Sequence, residues 1–447
     1  MTLLDSSTVT TPGSPHPDLV ARAAHAQPAV AEMSFDERFE RIAASRAALE
    51  TEGAVIVEAA LRESGQTIRF ARRELQSALD VLDALPAMAD EIRPRPVSAV
   101  SGETRLEYQP YGVVFGWHAA NSPVWVPTVV AASALVAGNA VVCRPSRRAK
   151  ETTTRVLRAI GQAWPSDAVQ IVETEPEEAE ALIAHPRIGA VVAHGSTATC
   201  RRHFDRLARA YADGVPFRPY IPEASGNDPA IVLAGADLEK AAHAIAVGAF
   251  MNAGQLCMAA KRIIVESRIW SEFRPLLVRE VEAMRLGDPA REETDIAPLG
   301  DGPGRGRART AMAEALALGG EIVTGRGEDG PFFTPTIILL PRAAVATMLW
   351  SEESFAPLRG LMLAADPGDA VEVANADTHG LGASIFGPDD GSLHGIIRHL
   401  RAARVIVNED PLYQDPHFVV GGVGNSGLFG ARPKLEQLVY ARRVHFA

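Results

Sequence analysis

Apolar and polar positions follow two periods along the chain, and each period predicts one kind of element. From Asp18 to about Ile92, Ala and Leu recur every three or four residues among Arg and Glu, which predicts amphipathic helices. Gly53 and Ser64-Gly65-Gln66 are the expected breaks between them, and Arg93-Pro-Arg-Pro96 ends the run. The segment from Val97 to Glu107 then favours an irregular β-hairpin.

Beyond Tyr111, short apolar runs alternate with stretches of helical length. Strands are expected at Tyr111–Trp117, Gly138–Pro145, Val169–Val172, Gly189–Ala193, Ala230–Leu233, Arg262–Val265, Leu381–Phe386, Val405–Asn408 and Gln437–His445. One helix is expected to end at Val136 and another to follow Ser196. The remaining helices are expected at Lys150–Trp164, Pro176–Ala184, Ala236–Phe250 and Trp270–Met284. This alternation predicts parallel βαβ units and an α/β fold, with a second domain starting near residue 226. Gly300 to Gly306 and Gly319 to Pro331 are expected to be solvated connections.

Composition narrows the class of protein. The chain has 447 residues, 47% of them hydrophobic, which is enough for two or three domains. A net charge of -11 without a basic block argues against nucleic-acid binding, and no apolar run reaches membrane-spanning length. Three scattered cysteines favour neither a disulfide framework nor a metal site and fit a reducing cytoplasm. Met1 to Pro17 is expected to be a frayed leader rather than a signal peptide.

Three residues are candidates for chemistry. Cys257 lies on a Gly-bearing turn between a predicted helix and a predicted strand, although an isolated cysteine is more often a small buried hydrophobe. Glu223 precedes Gly226 at a strand entry, and Asn121 follows a strand. Together they supply a nucleophile, a base and an oxyanion donor, the set that acyl chemistry requires. Separately, Glu223 reads as a loop acid and Asn121 as a turn residue.

A possible anion site follows another strand. In His194-Gly-Ser-Thr197, Ser196 caps the next helix, whose free N–H groups suit a phosphate. A plain helix cap is the simpler interpretation, and the Gly-rich dinucleotide fingerprint is absent from the sequence.

Six collinear motifs make the chain resemble the aldehyde dehydrogenase superfamily. They are Gly112-Val-Val with Asn121-Ser-Pro123, Gly138-Asn-x-Val-Val-x-Arg-Pro-Ser146, Gly195-Ser-Thr197, Glu223-Ala-Ser-Gly-Asn-Asp-Pro-Ala-Ile-Val232 with Phe250-x-Asn-x-Gly-Gln-x-Cys257-x-Ala259, Glu352-Glu-Ser-Phe-Ala-Pro357 and Gly421-Gly-Val-x-x-Ser-Gly427. The resemblance spans about Asp18 to the C-terminus.

The resemblance implies a role for each matched residue. Cys257 attacks the aldehyde, Asn121 and the Cys257 N–H hold the oxyanion, and Glu223 activates water to hydrolyse the thioester. The implied cofactor residues are Arg144, Ser146, Arg147, Gly195, Ser196, Glu353 and Phe355. Trp125, Val126, Val129, Leu256, Met258, His417 and Phe418 match positions of the aldehyde tunnel and favour a hydrophobic or aromatic aldehyde. No metal is implied.

The sequence also departs from the family pattern. Val130 replaces a lysine common in the family, which removes a proton relay, and His194, Ala120 and Cys200 alter the cofactor motifs. Arg147 stands where NAD-preferring members often have an acid, so NADP is expected over NAD, with NAD still possible.

The family architecture implies three domains. A cofactor-binding domain covers 1–93 and 110–225, a catalytic domain 226–430, and an oligomerisation arm 94–109 and 431–447. Exposed strand edges in such an arm predict a homodimer or homotetramer. Two alternatives remain for the function: a CoA-acylating aldehyde dehydrogenase, which Glu223 argues against, and a catalytically impaired homologue used for binding.

Overall fold

The fold opens with helices that pack on one another. The computed structural model describes residues 17–98, 101–299, 303–417, 421–431 and 434–446. The first elements are α1 (Pro17–Ala31), α2 (Phe35–Thr51), α3 (Gly53–Ser64), α4 (Ile68–Met88), a 3-10 turn (Ala89–Ile92), β1 (Arg95–Val97) and β2 (Glu103–Pro110). The breaks predicted at Gly53 and Gly65 are confirmed, and Gly65 ends α3 in the left-handed conformation at φ 66°.

A five-stranded sheet follows, with every pairing parallel. Its elements are β3 (Val113–Trp117), α5 (Trp125–Val136), β4 (Ala140–Arg144), a 3-10 turn (Arg147–Ala149), α6 (Lys150–Gly161), β5 (Val169–Ile171), α7 (Pro176–Ile183), β6 (Ala190–His194), α8 (Thr197–Ala212) and β7 (Tyr220–Glu223). The strand order is β5-β4-β3-β6-β7. Chain direction across the sheet reverses beside β3, and open α/β sheets bind ligands at the carboxyl ends of strands at such a point.

The second sheet has seven strands. Its region contains β8 (Asp228–Val232), α9 (Leu238–Phe250), a 3-10 turn (Met251–Gly254), β9 (Ala260–Glu266), a 3-10 turn (Ser267–Ile269), α10 (Trp270–Glu282), α11 (Pro303–Ala317), β10 (Glu321–Thr324), β11 (Glu328–Asp329), β12 (Phe332–Phe333), β13 (Thr336–Leu339), a 3-10 turn (Arg342–Ala346), α12 (Met348–Ser351), β14 (Leu358–Ala364), α13 (Pro367–Asn375), β15 (His379–Gly380), β16 (Gly382–Phe386), α14 (His394–Ile397) and β17 (Arg404–Val407). The order is β10-β13-β14-β9-β8-β16-β17, and β10 is its antiparallel edge. The predicted α/β class with two parallel sheets is therefore confirmed.

The chain ends on a third, small sheet. The last elements are β18 (Val423–Gly424), α15 (Lys434–Gln437) and β19 (Val439–Phe446). β19 pairs antiparallel with β2 from Val439↔Pro110 to Phe446↔Glu103, and β2 pairs with β1. The predicted hairpin is thus completed by the C-terminal strand, which forms one edge of a sheet ordered β1-β2-β19.

Two predicted connections contain regular elements where the structure describes them. Gly304 to Gly306 lie in the first turn of α11, because Pro303 suits the first helical position and an Ala-rich run follows. Residues 300–302 lie outside the described residues. Within Gly319 to Pro331, β10 and β11 form because their partners β13 and β12 follow closely in the chain.

None of the helices in the described ranges combines the length and the apolar character that a bilayer crossing requires.

Arg359, on β14, is a buried cation that joins the end of α9 and the turn after it to the segment before β14. It is 0% exposed, and its guanidinium donates to the carbonyl oxygens of Ala249 and Gly254 and, on its own side, to the Ser354 hydroxyl and the Ala356 carbonyl. Burial lowers the pKa of Arg359 to about 9. Since that value lies well above neutral pH, the guanidinium stays charged and holds both segments.

Arg359→Met should lower the apparent thermal midpoint by roughly 5–10 °C, because several buried carbonyls lose a charged donor at about 1–3 kcal/mol each. Differential scanning calorimetry measures the midpoint. Arg326→Met is the matched control, since Arg326 is exposed and pairs with Asp329 at the surface. Equal midpoints for Arg359→Met and wild type would contradict the role of this guanidinium.

Candidate active site

One cavity of about 410 Å³ lies between the two large sheets. The first sheet contributes the carboxyl ends of β3, β6 and β7, and the second contributes the segments that precede β8, β9 and β14. The predicted site residues that line it are Asn121, Trp125, Val126, Ser146, Gly195, Ser196, Glu223, Leu256, Cys257, Met258, Glu353 and Phe355. Residues from motifs that are distant in sequence therefore line the same cavity.

The other predicted site residues that the structure describes lie elsewhere. Arg144 is 4% exposed and its guanidinium stacks 4.4 Å from the Trp117 ring centroid, whereas Arg147 is exposed and paired with Glu175. Val129 is half-buried on α5 without lining the cavity. His417 is exposed and contacts Asp415, and Phe418 lies outside the described residues.

The turn before Cys257 has an unusual backbone. Asn252, Ala253 and Gly254 have φ values of 53°, 51° and 70°, which place three successive residues in the left-handed region. That region costs energy for residues other than glycine and clusters at functional sites. A Cβ on Gly226 would lie 2.1 Å from the Cys257 carbonyl oxygen, so only glycine allows the two loops to approach this closely.

Lys261 lies beneath the same turn. Its ammonium donates to the carbonyl oxygens of Leu256 at 2.7 Å and Cys257 at 2.6 Å, and it lies 3.4 Å from the Glu353 carboxylate. Burial raises the pKa of the Cys257 thiol to about 12, and the Lys261 charge opposes that rise. The thiol is therefore protonated near neutral pH until a base takes its proton.

Glu223 ends β7 and faces the cavity from the first sheet. It is 8% exposed, and Lys434 Nζ lies 3.2 Å from its Oε1. Burial raises the pKa of Glu223 while Lys434 lowers it. A carboxyl group with a raised pKa is suited to accept a proton near neutral pH.

The loop that carries Asn121 is fixed by a buried carboxylate from α4. Glu74 Oε1 accepts hydrogen bonds from the Ser122 hydroxyl at 2.7 Å and from the N–H groups of Val124 and Trp125 at 2.9 Å. Gln66 donates to both Glu74 and the Asn121 carbonyl. Glu74 thus caps the start of α5 and orients the segment that presents the Asn121 side chain.

The other end of the cavity has features of an anion site. Ser196 caps α8, its hydroxyl accepting the Thr199 N–H at 3.2 Å, and the helix begins directly behind β6. His194 at the end of β6 has a buried Nδ1 with no hydrogen-bond partner among the described residues. Across the cavity, Glu353 Oε1 accepts the Gly226 N–H at 3.2 Å, and Phe355 has a φ of 39°.

Sequence reasoning missed Lys261, Lys434, Glu74 and Arg148. Glu74 had a detectable signal, because it shares the buried face of α4 with Ala71, Ala78 and Leu82, where a carboxylate is unexpected. Lys434 had no comparable signal, because its partner Glu223 is distant in sequence. Lys261 had none either, because it contacts carbonyl groups of the irregular turn just before it. Arg148 lines the cavity one position after Arg147.

Comparison with known proteins identifies the family of this chain. The model of the "Aldehyde dehydrogenase family" matches residues 16–440. A vanillin dehydrogenase from Pseudomonas fluorescens is 30% identical over 95% of this chain and 88% of its own, and an NADP(+) succinate-semialdehyde dehydrogenase from Mycobacterium leprae (strain TN) is 30% identical over 92% and 90%. The crystal structure of an NADP-dependent glyceraldehyde-3-phosphate dehydrogenase from Bacillus halodurans C-125, complexed with NADP, has a TM-score of 0.87 at 26% identity over 96% and 90%. The chain belongs to the aldehyde dehydrogenase family, a family of oxidoreductases.

Glu74→Ala should lower the thermal midpoint by roughly 5 °C or more, because it leaves the N–H groups at the start of α5 without their acceptor at about 1–3 kcal/mol each. Glu74→Gln keeps an acceptor oxygen and should lose less. Glu58→Ala, at an exposed position of α3, serves as the control. If Glu74→Ala had the same thermal midpoint as Glu58→Ala, the capping role assigned to the Glu74 carboxylate would be wrong.

Proposed function

We propose that the protein oxidises an aldehyde to the carboxylic acid with a nicotinamide dinucleotide cofactor. The observation that carries the proposal is that Cys257, Glu223 and Asn121, from three separate segments of the chain, line one cavity. Family membership supports the same reaction.

The residues at the α8 end of the cavity fit such a cofactor. The amino terminus of α8, with Gly195 and Ser196, favours a pyrophosphate. The Glu353 carboxylate, held by Gly226 and Lys261, suits sugar hydroxyls, and the Phe355 ring suits a flat heterocycle. When bound, the nicotinamide supplies the hydride acceptor for the oxidation.

The first chemical task belongs to Cys257. Its sulfur attacks the aldehyde carbon as the thiolate, while the Asn121 amide and the Cys257 N–H stabilise the oxyanion, an effect of a few kcal/mol when donors are preorganised. Because burial holds the thiol pKa near 12, formation of the thiolate needs an acceptor for the proton. Cys257 is partly exposed, so the proton can leave to solvent, and Glu223 stays free for the later hydrolysis.

The second task is hydrolysis of the acyl group that remains on Cys257. Glu223 takes a proton from water, and the hydroxyl oxygen adds to the acyl carbon. The carbon–sulfur bond then breaks and Cys257 is restored. A base for water has no use in transfer to CoA, so Glu223 favours hydrolysis over the CoA-acylating alternative.

For the substrate we infer a hydrophobic or aromatic aldehyde. Trp125, Val126, Leu256 and Met258 line the cavity, and the similarity to a vanillin dehydrogenase supports an aromatic ring. Arg73, which also lines the cavity, favours a second candidate, an aldehyde that carries a carboxylate. Asp410 lies 3.5 Å from Arg73 and offsets its charge, so the aromatic class is preferred.

A panel of aldehydes tests both function and substrate class. The kcat/KM for vanillin and benzaldehyde should exceed that for succinate semialdehyde by about tenfold or more. The reason is that apolar contacts in a hydrophobic pocket contribute about 1–3 kcal/mol of binding free energy. NADPH absorbance gives the rate, and chromatography identifies the acid. Cys257→Ser should abolish the reaction. No reduced cofactor with any aldehyde would favour the impaired homologue, and acid formation that requires CoA would favour the CoA-acylating reading.

We further propose that NADP is favoured over NAD. Arg147 and Glu175 pair across the carboxyl ends of β4 and β5, where an adenosine ribose is expected in this topology. A 2'-phosphate could replace Glu175 as the partner of the guanidinium. The similarity to NADP-dependent relatives supports this choice.

Arg147→Met should lower kcat/KM for NADP about tenfold and leave the value for NAD nearly unchanged, because one charge-assisted contact contributes about 1.5–3 kcal/mol. Arg187→Met, at an exposed turn before β6 and outside the cavity lining, controls for the loss of one surface charge. Wild-type turnover with NAD that equals or exceeds turnover with NADP would refute the cofactor preference.

The remaining assignments concern organisation. We propose that 1–93 and 110–225 form the cofactor-binding domain, 226–430 the catalytic domain, and 94–109 with 431–447 the oligomerisation arm. Exposed residues on both faces of β19 and its free edge support a homodimer or homotetramer. Three free cysteines fit the proposed cytoplasmic location.

A further inference from the structure

Lys434 and Glu223 form a buried ion pair beside the cavity. The exposed fractions of their side chains are 5% and 7%, and Nζ lies 3.2 Å from Oε1. An isolated charge at such a site is costly, so each group depends on the other for its ionised state. The pair brings residue 434, from the C-terminal segment, to a carboxylate at the end of β7.

Packing holds Lys434 in place independently of the cavity. The two leucines that follow it, Leu435 and Leu438, are fully buried and belong to the same apolar core as α5. Lys434 is not among the residues that line the cavity. Lys434 therefore acts on the reaction through residues that line the cavity, and Glu223 is the one with which it forms an ion pair.

The other titratable groups that face Glu223 come from three elements. They are His194 on β6, Cys200 on α8 and Cys257 on the turn before β9. Burial, reinforced by Lys434, keeps the pKa of His194 well below its usual range, so His194 is neutral. Burial likewise raises the pKa of both thiols. Lys434 is thus the cation in hydrogen-bonding distance of the carboxylate.

We propose that Lys434 is the positioning residue for Glu223 and keeps it ionised and oriented for hydrolysis of the acyl-enzyme. The inference rests on the proposed function. Glu223 must be a carboxylate to take a proton from water. The water oxygen then bonds to the acyl carbon, the carbon–sulfur bond breaks, and the electron pair returns to Cys257 sulfur. Nothing is oxidised or reduced in this step.

The charge sets the direction of the pH effect. Glu223 acts as a base in its deprotonated form, so the hydrolysis rate falls as pH drops through its pKa. A nearby cation lowers a carboxyl pKa by about 1–3 units. Removal of Lys434 therefore moves the acid limb of the hydrolysis rate to higher pH.

An activated ester tests this step without cofactor. p-Nitrophenyl acetate acylates the cysteine of the full-length enzyme and releases p-nitrophenolate as a burst, and hydrolysis of the acetyl group sets the later steady rate. Lys434→Met should keep the burst, lose about tenfold or more in the steady rate at pH 7, and move the acid limb up by at least about one unit. Lys434→Arg should restore most of the wild-type profile.

Controls separate position, folding and function. Lys240→Met, on the exposed start of α9, should behave as wild type. If Lys434→Met does not fold, Lys434→Gln, which keeps a hydrogen-bond donor without the charge, should show the same displaced limb. A wild-type acid limb in the folded Met or Gln variant would overturn the proposal. Failure of the wild-type enzyme to oxidise any aldehyde would refute the proposed function instead. The two failures can be told apart because the ester assay does not require aldehyde oxidation.

Discussion

The buried guanidinium of Arg359 is the contact on which the geometry of the cavity depends most. It binds carbonyl groups from the end of α9 and the turn before Cys257, and also from the segment that carries Glu353 and Phe355. One side chain therefore sets the distance between the nucleophile and the residues proposed for the cofactor. Gly254 is required beside it, because a Cβ there would lie 2.3 Å from a guanidinium nitrogen. Strain in the left-handed turn is sustained by these hydrogen bonds.

Around this contact, the site is built from buried ionisable groups, each held by an oppositely charged group or by hydrogen bonds. Lys261 supports the Cys257 turn and Glu353, Glu74 caps α5, and Lys434 faces Glu223. Removal of one such group leaves its buried partners unsatisfied, and each group fixes the position of a backbone or side chain that chemistry would use. Val130, which is fully buried in the apolar core shared by α5 and α15, carries no charge. The cation beside Glu223 comes instead from the end of the chain.

The elements that could be predicted are those whose cause is local. The helix and strand alternation, the end of α3 at Gly65 and the Ser196 cap follow from periodicity and from residues that cap or break helices. The start of α11 was not predictable in this way, because two glycines in its first turn obscure a helix that Pro303 initiates. For β10 and β11 the signal was also weak, since short edge strands form only when their partners are present.

By itself, the sequence determined the fold class and placed Cys257, Glu223 and Asn121 in motifs whose residue types suit acyl chemistry. It did so because apolar periodicity and turn residues act within a few positions of the chain. Tertiary structure alone decided that these three share a cavity, that Arg147 pairs with Glu175 while Arg148 lines the cavity, and that Lys434 reaches Glu223. These outcomes depend on the packing of two sheets and on the burial of charge, which bring together residues 28 positions apart, as in Arg147–Glu175, or 211 apart, as in Lys434–Glu223.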